Sequence, residues 1–242
     1  MAALSAMVFA LSWWLGLYLL ARDPRKPVLV LASIGLTSFA SVVALDAVRI
    51  ESGASGSEIL GRIEIYLVAV PGIAWFAVLV ELSRSYETWR SRAGEIALVA
   101  GVATLAFVGA ALAGSVEGPL RLGHWVMIAA ISLSTLGALV KAVLVKPPQP
   151  VVTFVVIATL FFALGNAILI IPLGLVPSWL ALASTGFDVA LLGIAVAIGD
   201  AFDEGQALRA DMLRSFAATA VVALLFGGQL LIGLAVSGQE TA

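Results

Sequence analysis

Apolar residues occupy this chain in long unbroken stretches separated by short polar connections. Eight stretches stand out, at roughly 2–21, 27–47, 63–83, 94–113, 124–145, 151–171, 178–199 and 215–236. Each holds about 20–22 residues, which as a helix rises about 30–33 Å, the thickness of a bilayer's hydrocarbon core. They are too long for barrel strands and show no inward–outward alternation. A helix also satisfies its own backbone polar groups, as lipid demands. The pattern predicts an all-α polytopic membrane bundle of eight transmembrane helices, with residues 1–242 forming one domain.

Composition agrees. Hydrophobic residues make up 62% of the 242 residues and charged residues 12%, half the share usual in a soluble domain, about 25%. Mean hydropathy is +1.11. A water-soluble globular domain, a disordered chain and a disulfide scaffold are excluded, the last because there is no cysteine. The 13 basic residues are thinly spread and the net charge is −2, so no basic patch supports nucleic-acid binding.

Charge sets the orientation. Arg22, Arg25 and Lys26 follow span 1, Arg84, Arg90 and Arg92 follow span 3, Lys141 and Lys146 end span 5, and Arg209 and Arg214 follow span 7. These ten cations fall on one side, and Arg49, Arg62 and Arg121 on the other. By the positive-inside rule both chain termini lie outside. A cleavable signal has its cations before the apolar run, whereas here they come after, so the first stretch reads as an uncleaved helix.

Local punctuation refines the picture. Of the nine prolines only Pro71 lies well inside a span. It cannot donate to the carbonyl of Leu67, which predicts a kink. The stretch 53–57, Gly-Ala-Ser-Gly-Ser, reads as a flexible outer turn, and 200–214 as polar helical ends on the cytoplasmic side. Trp125 and Trp179 open spans 5 and 7 as interfacial anchors, whereas Trp13, Trp14 and Trp75 lie deeper, against neighbouring helices. His124, beside Trp125, reads as a headgroup-level residue. Small residues recur every fourth position at Ala106, Ala110 and Gly114, at Gly186 and Ala190, and at Gly193 and Ala197. They predict close helix packing within the chain, with a homodimer or partner-subunit contact as the alternative.

The residues that could carry chemistry are few. Asp188 sits at the middle of its span, where a carboxylate costs about 2.5–3.5 kcal/mol. It reads as a titrating or ligand-contacting group, or as a hydrogen-bonded structural acid. Asn166 and Gln229 lie in the outer halves of spans 6 and 8, Asp46 near the outer end of span 2, and Arg62, Glu64 and Tyr66 at the start of span 3. If their helices adjoin, these groups form an outward-open cavity leading to Asp188. Taken singly, each reads as an interhelical hydrogen bond or a wetted helix end. Pairs such as Glu58–Arg62 read as local helix chemistry worth about 0.2–0.5 kcal/mol. One histidine and no cysteine leave no metal centre, no cofactor is implied, and no nucleotide-binding glycine motif occurs. No catalytic constellation is found, so the chain reads as a non-enzyme.

Two segments carry a resemblance. Trp14-Leu-Gly-Leu-Tyr-Leu-Leu-Ala-Arg-Asp-Pro24 runs a first helix into a basic Asp-Pro turn. Gly193-Ile-Ala-Val-Ala-Ile-Gly-Asp-Ala-Phe-Asp-Glu-Gly-Gln-Ala-Leu-Arg209 runs a seventh helix into a charged helical segment. Together, over about residues 1–210, they resemble the multi-helix, seven-transmembrane-type N-terminal sensor region of bacterial membrane histidine kinases and related signalling proteins. The resemblance implies a receptor-like protein of the inner (plasma) membrane, with the lipid bilayer and a cytoplasmic signalling partner as its associates. The chain departs from that family by an eighth span and by the absence of a kinase, cyclase or phosphatase domain.

The expectation is therefore a non-enzymatic sensor that detects a ligand or membrane stimulus in its outer half and relays it to the cytoplasmic side. A structural or accessory subunit of a larger membrane complex is the second reading. A proton- or ion-coupled transporter using Asp188 is the third.

Overall fold

The structure is a computed structural model that describes residues 2–51, 53–82, 89–116, 118–145 and Gly186. Apart from Gly186, spans 151–171, 178–199 and 215–236 and the 200–214 connection lie outside the described residues.

Five helices are described: α1 (Ala2–Arg22), α2 (Pro27–Glu51), α3 (Gly53–Leu82), α4 (Trp89–Ala113) and α5 (Leu122–Val145). They coincide with the first five apolar stretches. Four of them contain segments long and apolar enough to cross a membrane: Leu4–Ala21, Pro27–Arg49, Ser57–Glu81 and Arg92–Ala113. The described residues thus form an all-helical membrane-type bundle.

Proline chemistry makes the first reversal. Pro24 biases Asp23 away from helical geometry, and α1 stops at Arg22. The Asp23 carboxylate accepts the Arg25 amide at 3.0 Å, and the Asp23 carbonyl accepts the Lys26 amide at 3.2 Å. Pro27 then starts α2, where a missing amide costs nothing. Hydroxyls along α2 turn back onto their own helix: Thr37 donates to the Ser33 carbonyl at 2.8 Å, Ser38 to Ile34 at 2.6 Å and Ser41 to Thr37 at 2.8 Å. An apolar span tolerates them because their donors are satisfied locally.

The stretch expected as a flexible turn, 53–57, is instead the beginning of α3. Two glycines weaken a helix by about 1 kcal/mol each. The Glu58–Arg62 pair, one turn apart at 2.6 Å, supports this extension, and the same helix contains Pro71. With 30 residues α3 is about 45 Å long, well over the hydrocarbon thickness.

Helix α3 is the centre of the bundle. It packs against α2, α4 and α5, while α1 packs on α2. Of its apolar segment 72% is buried, against 28% for those of α1 and α4. One core joins Leu15, Leu19, Leu36 and Phe39 to Trp75 of α3. A second joins Ile65, Val68 and Ala69 of α3 to Ala106 and Ala110 of α4 and Met127 of α5. Small residues permit these approaches. Gly35 lies against the Trp75 ring and Gly72 against Ile131, while Gly109 and Gly123 bring the backbones of α4 and α5 into contact. The stripe Ala106–Ala110 is therefore spent on packing within the chain.

Candidate functional site

Arg49, near the end of α2, gathers two carboxylates. Its Nη2 donates to Asp46, one turn back on the same helix, and its Nε donates to Glu64 of α3 at 2.7 Å. Glu64 is nearly closed off, with its side chain 6% exposed; Arg49 is 18% exposed and Asp46 41%. A buried carboxylate is retained only with a charged or hydrogen-bonding partner, and Arg49 supplies one across the α2–α3 seam. The three groups carry a formal net charge of −1, and the Asp46 side chain is half-exposed.

The expected site residues divide. Asp46 and Glu64 meet through Arg49. Arg62 and Tyr66 fall together on the opposite, exposed face of α3, because positions 62 and 66 are about 40° apart on the helix while 64 is turned about 160–200° from them. Arg62 pairs there with Glu58. Asp188, Asn166 and Gln229 lie outside the described residues.

Three arginines are each engaged: Arg49 with Asp46 and Glu64, Arg62 with Glu58, and Arg121 with the Ala113 carbonyl at 3.2 Å. Arg49 is not among the site residues expected from the sequence. Its signal was the i,i+3 spacing from Asp46, read alongside Glu64.

His124 departs from its expected headgroup position. It is 2% exposed and works as a strut in the α4–α5 connection. Its backbone amide donates to the Arg121 carbonyl at 3.1 Å, and its Nδ1 accepts the Arg121 amide at 3.0 Å. It thus stands at the third position of α5 and reaches back to the cap residue, as Glu or Gln does in a capping box. Since Nδ1 accepts, Nε2 carries the proton and donates to the Ser115 carbonyl at 3.0 Å. The same peptide group, through the Val116 amide, donates to the Gly61 carbonyl of α3 at 3.2 Å. One peptide is therefore held by α5 at its oxygen and by α3 at its nitrogen. Gly114, at φ 80°, ends α4 with its amide on the Ala110 carbonyl at 2.9 Å.

The deep tryptophans also divide. Trp75 is buried, while Trp13 is 40% exposed and stacks on Phe9. Among the described residues no group of three or more His, Asp or Glu side chains could hold a metal ion. No family model, curated protein or solved structure matches the chain.

Proposed function

We propose that this chain is a non-enzymatic, receptor-like sensor with eight spans in the inner (plasma) membrane, both ends outside. It detects a ligand or membrane stimulus at its outer half and relays it to a cytoplasmic partner. The observation that carries this reading is the Arg49-centred cluster, a paired but half-open charge group where the positive-inside count puts the outer face. The resemblance of Trp14–Pro24 and Gly193–Arg209 to sensor regions of membrane histidine kinases supports it from the sequence side.

The test is a thermal-shift screen of the full chain in nanodiscs against amino acids, organic acids, amines and phospholipids. The reading expects one class to raise the melting temperature, and Glu64→Gln to abolish the shift. No shift from any class would overturn it.

A second reading, an accessory subunit of a membrane complex, is favoured by the outward apolar side chains of α4, among them Ile96, Leu105, Phe107 and Leu112. Stoichiometric co-purification of a second membrane protein would select it. The transporter reading rests on Asp188 alone, and unchanged ion flux in Asp188→Asn would remove it.

A further inference from the structure

We propose that Nδ1 of His124 is a proton-binding site whose occupation unlatches the α4–α5 connection from α3. The latch is set by the geometry around the ring and does not depend on the sensory reading.

In the neutral ring Nδ1 is the acceptor for the Arg121 amide and Nε2–H the donor to the Ser115 carbonyl. A proton arriving from water at Nδ1 forms an N–H bond with the lone pair that accepted the Arg121 amide. No acceptor is left, and two N–H donors face each other at a 3.0 Å separation. The ring must turn or withdraw, and as it does so it releases the Ser115 carbonyl. That carbonyl shares its peptide plane with the Val116 amide, the donor to Gly61. Hydrogen bonds at the two ends of a peptide polarise and support each other. Losing the first weakens the second, the only backbone bond between the connection and α3 among the described residues.

The ring is buried, and the apolar residues at this end of α4, α3 and α5 include Ala113, Ile65 and Met127. The charged residues at this end of the described elements are Arg121, a cation whose guanidinium holds the Ala113 carbonyl, and Asp46, Arg49, Glu51, Glu58, Arg62 and Glu64 of α2 and α3, while Glu117 of the connection itself lies outside the described residues. Asp46, Arg49 and Glu64 are bound to one another, as are Glu58 and Arg62. Tyr66 lies on the exposed face.

Because the chain has one histidine and no cysteine, the test is clean. Histidine-specific isotope labelling of the full chain in nanodiscs reports the tautomer and charge of this one ring. Val116→Cys reports the latch through its rate of maleimide labelling, divided by that of the exposed Leu122→Cys to remove the thiol's own pH dependence. As the pH is lowered, the spectra mark the interval over which the ring passes from the Nε2–H tautomer to imidazolium. The Val116→Cys ratio should rise about tenfold over the same interval, the scale of one or two lost buried hydrogen bonds. In a His124→Gln background, where the side-chain carbonyl still accepts the Arg121 amide and cannot titrate, the ratio should stay flat.

Three results would overturn the proposal: a ratio that stays flat while the ring protonates, a ratio that rises equally with Gln at 124, or a ring that stays neutral until the helices unfold. Should His124→Gln fail to fold, coincidence of the ring titration with the labelling midpoint in the His124 protein decides alone. Leu120→Cys repeats the reading if Val116→Cys does not fold.

Discussion

Arg49 of α2 donates to Glu64 of α3 at 2.7 Å, and through this bond the last turns of α2 are tied to the helix at the centre of the bundle. Glu64 is the more buried partner, so its carboxylate depends on the guanidinium more than the reverse. Arg49→Ala should lower stability by about 1–3 kcal/mol, the cost of taking a charged hydrogen-bond partner from a nearly buried carboxylate. Arg62→Ala, which opens the exposed pair with Glu58, should cost no more than about 1 kcal/mol. Melting of the full chain in detergent gives both values, and equal losses would refute the distinction.

Glycine tolerance should follow backbone clearance. A Cβ on Gly123 would lie 2.1 Å from the Ala113 nitrogen and 2.4 Å from the Gly109 oxygen. Neither atom can rotate away, so Gly123→Ala must push α4 from α5, at about 3 kcal/mol or more. Gly101 and Gly137 face open space on the same two helices. There alanine should stabilise by about 0.5–1 kcal/mol through its better helix propensity. Melting temperatures that move the same way at all three positions would contradict the packing described.

Gly186 and Val8 provide a coupled test. A Cβ at 186 would meet the Val8 Cγ2 at 2.8 Å. Gly186→Ala should destabilise, and Val8→Ala, which deletes the opposing methyls, should restore most of the loss. A double-mutant cycle should show a coupling of at least about 1 kcal/mol. Additive effects would mean that α1 and residue 186 do not touch.

Orientation is open to labelling because the native chain has no thiol. Lys26→Cys sits in the exposed α1–α2 turn and Leu122→Cys at the exposed start of α5. With the cation-rich side inside, a membrane-impermeant maleimide should label Leu122→Cys on intact cells and Lys26→Cys only after permeabilisation. The reverse pattern would invert the proposed topology and move the Arg49 cluster to the cytoplasmic face.

The five described helices were legible in the apolar runs because, at the length of a bilayer, hydrophobicity and backbone satisfaction give the same answer. Their polar overhangs were less so. The residues Gly-Ala-Ser-Gly-Ser at 53–57 have turn composition yet are helical, since outside the apolar run composition no longer decides and an adjoining helix with its Glu58–Arg62 pair does. The candidate site was half legible. Asp46 and Glu64 were picked for their polarity, but the Arg49 that joins them was counted only as a charge.

What the sequence determined alone was the all-helical class, the places where apolar segments begin and end, and the exclusion of a water-soluble domain. Those follow from transfer free energy and from the fixed rise of a helix, which act residue by residue along the chain. The tertiary structure decided which helix is central, which face of α3 carries Glu64 inward and Arg62 outward, and that His124 braces a loop instead of meeting headgroups. These depend on which surfaces come within a few ångströms of each other, and no local pattern along the chain encodes that distance.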